Sequence, residues 1–286
     1  MNKDDIDDST APLIEHLAEL RTRLIWSVSA FAVCMILCFM VAGPIFNFLA
    51  RPLQQLLIAN GQEPDLIFTG LQQGFMTQIR ISVFGGFCLA FPVIGFQLWR
   101  FVAPGLYRQE KNAFLPFLLA SPALFLLGAA FAYYVVLPLA FDFFLGFQQF
   151  DDSGNMVQDD VNIQFLGTIN EYLGLTMKFV IAFGLCFQLP VLLTLMGKAE
   201  LVSASGLGDM RKYAVVGILV LAALVTPPDV VTQVILFTVV YGLYEVSIFL
   251  VRIVEKRREA SLKAQGLWDE ELHGSGSTEP AAKDQA

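Results

Sequence analysis

The sequence predicts an all-α integral membrane protein: six transmembrane helices, kinked into an open concave bundle whose last two helices are short. Three observations carry that expectation. The 286 residues are 56% hydrophobic with a mean hydropathy of +0.61, and 15% are charged, against roughly 25% in soluble proteins. Twenty-six phenylalanines outnumber seven tyrosines, and phenylalanine has no polar atom to satisfy in lipid. Six charge-free stretches follow one another along the chain, at residues 24–50, 81–99, 112–141, 179–197, 213–228 and 230–244.

A spanning helix needs about 20 apolar residues, and the first four stretches are long enough. The last two, of sixteen and fifteen residues, cover only about 22–24 Å of a hydrocarbon core about 30 Å thick. Between them stands Thr226-Pro227-Pro228-Asp229. Two prolines remove backbone donors and an aspartate favours a turn, whereas one long helix would hold Asp229 in mid-membrane at high cost. Two short helices joined by a tight turn, with local bilayer thinning, are therefore expected. Pro92, Pro116, Pro122, Pro138 and Pro190 lie in or at the ends of the spans, and each marks an expected kink. The segments 43–75 and 142–172 are expected to be long loops, with turns at Asn60-Gly61 and Asp152-Ser153-Gly154.

Domain organisation follows from the same stretches. Residues 1–23 are expected to form an amphipathic entry helix, starting near Thr10 and Pro12 and carrying Leu13, Leu17, Leu20 and Leu24 as a stripe. Its first ten residues are acidic and lack the basic region and cleavage site of a signal peptide, so the first hydrophobic run is expected to remain as a span. Residues 24–255 form the membrane domain. Residues 256–286 become polar, with Gly, Ser, Pro and acids, and are expected to be a disordered tail.

Lysine and arginine set the orientation. With the N-terminus inside, fifteen of the eighteen basic residues fall on the inner side, and only Arg51, Arg80 and Lys178 fall outside. Both termini are therefore expected in the cytoplasm.

Several function classes are disfavoured. The net charge of −8 offers no basic stripe with interleaved aromatics, so no nucleic-acid partner is expected. Cys34, Cys38, Cys88 and Cys186 all lie in apolar runs without a histidine at ligand spacing, and read as small buried hydrophobes rather than a metal site. No HExxH, GxSxG or Walker loop is present. Neither an enzymatic activity nor a cofactor is expected.

The candidate binding groups are polar residues at the membrane's edge and one inside it. Glu19 stands four residues before Arg23, and a simple helix ion pair would account for it. Glu110 lies in the short inner segment after Phe101, beside Arg108 and Lys111, which offer it pairing too. Yet two carboxylates at the same membrane face, each near arginines, match a partner that presents guanidinium groups. Gln188 is a hydrogen-bonding side chain near mid-bilayer depth, which fits a helix–helix contact and is expected to serve as a neutral polar docking point for a partner helix. Glu245, near the inner end of the last span, reads as a snorkelling side chain.

Three motifs carry a resemblance. His16-Leu-Ala-Glu19-Leu-Arg21-Thr-Arg23-Leu24, Phe101-Val-Ala-Pro104-Gly-Leu-Tyr107-Arg-Gln-Glu110 and Thr226-Pro-Pro-Asp229 together resemble the TatC family, the multispanning core of the twin-arginine protein translocase. The resemblance covers roughly residues 12–255. It implies a receptor in the bacterial plasma membrane for signal peptides carrying consecutive arginines, serving export of folded proteins by the proton-motive force. It further implies that Glu19 and Glu110 form the recognition surface, supported by Arg21, Arg23 and Phe101. Pro52 and Asp229 match exterior positions with functional roles, and Gln188 matches a position that is often glutamate in the family. The implied partners are TatA- and TatB-type single-span subunits near the fifth and sixth spans, other copies of the chain, and the lipid bilayer. A small-solute or ion transporter is the alternative, but it needs ionisable groups facing a mid-membrane cavity, and the spans offer almost none.

Overall fold

The computed structural model describes residues 3–102, 111–147, 167–227 and 229–264. It is helical throughout: α1 Lys3–Met40, α2 Ala42–Ala59, α3 Gln73–Val102, α4 Lys111–Phe131, a π-helical turn Ala132–Val136, α5 Leu137–Leu145, α6 Ile169–Cys186, α7 Leu189–Lys198, α8 Ala204–Asp209, α9 Arg211–Val225 and α10 Val230–Ala264. One isolated β-bridge, Ile67 to Thr168, ties the segment after α2 to the start of α6. Five segments are long and apolar enough to cross a membrane: Leu17–Met40, Gln73–Phe101, Leu119–Leu145, Ile169–Lys198 and Val230–Ser261. With fifteen residues, α9 is the short helix expected for the fifth crossing.

Where the chain departs from the expected boundaries, the causes are local. Entry helix and first span are one helix, with no break at residue 23 or 24. The first apolar stretch does not run to residue 50; it stops at Met40, because Pro44 has no N–H to return to the Met40 carbonyl. Residues 42–59 then form α2, so much of the expected loop 43–75 is helical. Helix α2 ends in a Schellman motif, with Gln62 N–H to Leu57 O (2.9 Å) and Gly61 N–H to Ile58 O (3.0 Å). Gly61 takes the left-handed position at φ 71°, as the Asn60-Gly61 pair suggested.

Pro92 sits inside α3, and Pro116 and Pro122 inside α4, without ending either helix. Pro138 and Pro190 do mark irregularities. Before Pro138 the ladder widens into the π-turn, with Leu137 N–H bonded to Ala132 O; before Pro190 the helix breaks between Cys186 and Leu189. The last helix also differs from expectation. It runs unbroken for 35 residues, because it contains no proline and its Glu245 has partners. The part of the 256–286 tail that is described, up to Ala264, is accordingly helical.

Packing links the helices in sequence: α1 lies along α3, α3 on α4, α4 on α6, α7 on α10, and α10 on α9. Among the described residues α1 and α9, at the two edges, share no extensive contact, which leaves the bundle open. Small residues allow the closest crossings. A Cβ on Gly86 would lie 2.7 Å from the Met35 backbone, and one on Gly128 would lie 2.5 Å from the Phe183 carbonyl oxygen. Around the second crossing sits an aromatic core, with Phe91 stacked on Phe125 at 3.8 Å and Phe179 and Phe183 fully buried.

Candidate functional site

Glu19 and Phe101 lie at the same level along the α1–α3 pair. These helices run antiparallel, with Met35 crossing Gly86. Glu19 lies sixteen positions before Met35 and Phe101 fifteen after Gly86; at a common rise of about 1.5 Å per residue they stand at the same level. Glu19 is half-buried and Arg23 holds it, Nε donating to Oε1 at 3.1 Å and Nη2 to the same oxygen. The i,i+4 pair that the spacing allowed is thus present. Arg21, two residues from each member of this pair, is exposed on the opposite side of α1, and Arg100 lies over the Phe96 ring at 5.9 Å. Glu110 falls outside the described residues.

Gln188 occupies the break between α6 and α7. Its amide donates to the Ser121 carbonyl at 2.9 Å, and its carbonyl oxygen accepts from Ser121 Oγ at 2.6 Å. Ser121 Oγ in turn accepts from the buried Trp99 indole at 2.9 Å. Both ends of the Gln188 side chain are therefore engaged on α4, and the network joins α3, α4 and the α6–α7 junction. Pro190 creates the irregularity, and Gln188 ties it to the neighbouring helix.

The remaining expected residues lie at the opposite end of the helices. Pro52 is buried inside α2. Asp229 caps α10: its Oδ1 accepts from Thr232 N–H at 2.7 Å and its Oδ2 from the Thr232 hydroxyl. This is an N-cap to the third helical residue, and it fixes the turn after Thr226, whose extended backbone (φ −88°, ψ 154°) ends α9. The structure thus has two helices and a turn here rather than one broken helix. It does not bring Pro52 or Asp229 to Glu19; the expected residues form two separate groups.

Sequence reasoning missed one cluster. Glu245 is held by a two-pronged Arg211 contact, Nε to Oε1 at 2.7 Å and Nη2 to Oε2 at 3.0 Å, and by the Tyr241 hydroxyl at 3.0 Å. On the same side, Tyr244 donates to Leu207 O (2.7 Å), Glu255 accepts from Ala204 N–H (2.8 Å) and Arg258 pairs with Glu200. These contacts dock α8 and the start of α9 onto α10. The i,i+4 spacing of Tyr241 and Glu245 was legible in the sequence, but its partner thirty-four residues earlier was not.

Fold and site define a multi-pass helical membrane protein whose candidate binding groups gather at the ends of its helices. Comparison with known proteins gives the family. Residues 15–238 match the family model described as "Sec-independent protein translocase protein (TatC)". The chain is 46% identical over 279 residues to the Sec-independent protein translocase protein TatC of Magnetococcus marinus, covering 96% of this chain and 98% of that protein. It is 35% identical to the Escherichia coli K12 protein of the same name, covering 86% and 90%. A crystal structure of a protein described as "Twin Arginine Translocase Receptor- TatC" superposes with a TM-score of 0.70 at 38% identity, covering 84% of this chain and 99% of that one. The chain belongs to the TatC family.

Proposed function

We propose that this protein is the core receptor subunit of a twin-arginine translocase. It binds twin-arginine signal peptides and takes part in export of folded proteins by the proton-motive force. The observation that carries the reading is Glu19, oriented by Arg23 at the level of Phe101 on the end of the bundle where most basic residues lie. Each charge-assisted guanidinium–carboxylate contact adds about 1.5–3 kcal/mol. A planar fork binds a carboxylate through two parallel bonds, which a lysine ammonium does not match. In this reading Glu19 and Glu110 bind the arginine pair, Arg21 and Arg23 set the local charge, and Phe101 supplies an apolar wall. The likeness to a protein described as a twin-arginine translocase receptor supports it.

The protein sits in the bacterial inner membrane with both termini in the cytoplasm. TatA- and TatB-type subunits pack in lipid against the exposed apolar surface of α9 and α10, and further copies of the chain complete the complex. Capture of a fusion carrying a twin-arginine signal peptide, compared with its twin-lysine form, tests the receptor reading. Retention of the arginine form alone is expected, and equal retention of both contradicts it. The orientation has its own test in single cysteines placed in a cysteine-free background. Positions 60 and 153 are expected to react with an impermeant thiol reagent from outside, and positions 109 and 205 are not.

A further inference from the structure

Pro52 is the eleventh residue of α2, where a proline ordinarily destabilises a helix. It has no N–H for the Phe48 carbonyl, four residues earlier, and its ring crowds that oxygen. The freed carbonyl has a partner from elsewhere: the hydroxyl of Tyr133 donates to Phe48 O. The next carbonyl along, Leu49 O, accepts from the hydroxyl of Tyr172. Tyr133 and Tyr172 are both buried. The Tyr133 ring also stacks on Phe48 at 4.5 Å with an interplanar angle of 6°.

The two donors come from different helices, and the chain places each for a reason. Tyr133 stands on the π-turn that precedes Pro138, so a second proline-dependent irregularity sets the angle from which it reaches α2. Tyr172 stands in the first turn of α6, next to the Ile67–Thr168 bridge. An apolar cavity of about 140 Å³, lined by Leu53, Phe141, Tyr172 and Leu175 among others, lies beside the contact.

We infer that Tyr133 and Tyr172 are positioning residues that brace α2 at Pro52, a hydrogen-bonded latch between α2, the α4–α5 junction and α6. The latch makes the position of α2 depend on the π-turn and on α6 together. It is independent of peptide recognition at the opposite end of the helices.

A double-mutant cycle on the full-length protein tests this. Tyr133→Phe keeps the ring and its stacking on Phe48 but removes the donor, and is expected to lower the melting temperature by about 2–4 °C. In the Pro52→Ala background a backbone N–H again serves Phe48 O, and the same Tyr133→Phe change is expected to lower it by less than about 1 °C. Equal shifts in both backgrounds overturn the latch. Should Pro52→Ala not accumulate, hydrogen exchange on Tyr133→Phe alone decides. Amides of residues 49–57 are then expected to exchange about tenfold faster, with α9 unchanged. Unchanged exchange in α2, or equal acceleration in α9, contradicts the proposal.

Discussion

Helices α1 and α6 are both long and apolar, yet they solve opposite problems. Only 6% of the apolar window in α1 is buried in the protein, against 56% for the segment containing α6 and α7. The stretch 17–40 of α1 is mostly exposed, with one face resting on α3, and Glu19 and Arg23 pair near its start. By contrast, α6 is wedged among α3, α4 and the π-turn, crosses α4 at Gly128 and Gly184, and leads into the Gln188 tie. The polar pair of α1 stands on a helix that packs along one neighbour, while polarity within the buried segment is taken up by its neighbours. The proposed function gives recognition to the first and architecture to the second.

The strongest way to break that assignment is at the α4–α6 crossing. Gly128→Ala places a methyl against a backbone carbonyl that cannot rotate away, and overpacking of this kind costs about 1–3 kcal/mol or more. A large loss of folded protein in size-exclusion chromatography is expected. Gly217→Ala, with nothing within 4 Å, is expected to behave as the parent. Equal behaviour of the two variants contradicts the packing account.

Gln188 gives the next effect. Gln188→Leu removes both bonds to Ser121 and leaves polar groups near mid-span without partners, a loss of about 1–3 kcal/mol. Gln188→Glu keeps one acceptor for the Ser121 hydroxyl and is expected to be milder. Thermal unfolding in detergent measures the order. If Leu lowers association with single-span subunits but leaves the melting temperature unchanged, Gln188 is a docking point rather than an internal tie.

Asp229→Ala removes the cap of α10 and is expected to cost about 1 kcal/mol, whereas Asp229→Asn retains most of it. Hydrogen exchange at the start of α10 reads the difference. The smallest effect is a gain. Glu200 has φ 62° at the C′ position after α7, where glycine is the usual residue. Glu200→Gly relieves roughly 1–2 kcal/mol of backbone cost and gives up an exposed ion pair with Arg258 worth about 0–1 kcal/mol. A rise of a few degrees at most in the melting temperature is expected.

Much of this was legible in the sequence because lipid imposes simple rules. Charge-free runs located the membrane segments, and the Thr226–Pro227 turn and Asn60-Gly61 appeared where their chemistry placed them. Helix ends inside apolar runs were harder to find. Pro44 ended α1 while Pro92 and Pro122 ended nothing, since a freed carbonyl in a membrane helix is re-satisfied by neighbours that the sequence does not identify. Glu19 was legible as an ion-paired residue, and the structure added its level with Phe101. Asp229-Val-Val-Thr232 is a capping pattern that was available to read. The partners of Gln188, of the Phe48 and Leu49 carbonyls before Pro52, and the Arg211 partner of Glu245 lie 34 to 123 positions away, and periodicity carries no information at that range.

The proposed function has the carboxylates of Glu19 and Glu110 choose arginine over lysine. The direct measurement is the affinity of twin-arginine and twin-lysine signal peptides for the parent protein, Glu19→Ala and Glu110→Ala, each reconstituted in membranes. The parent is expected to prefer arginine, and each variant to bind the twin-arginine peptide roughly ten- to a hundredfold more weakly, with that preference reduced. Variants that keep full preference for arginine would show Glu19 and Glu110 to be structural, with recognition lying elsewhere on the protein.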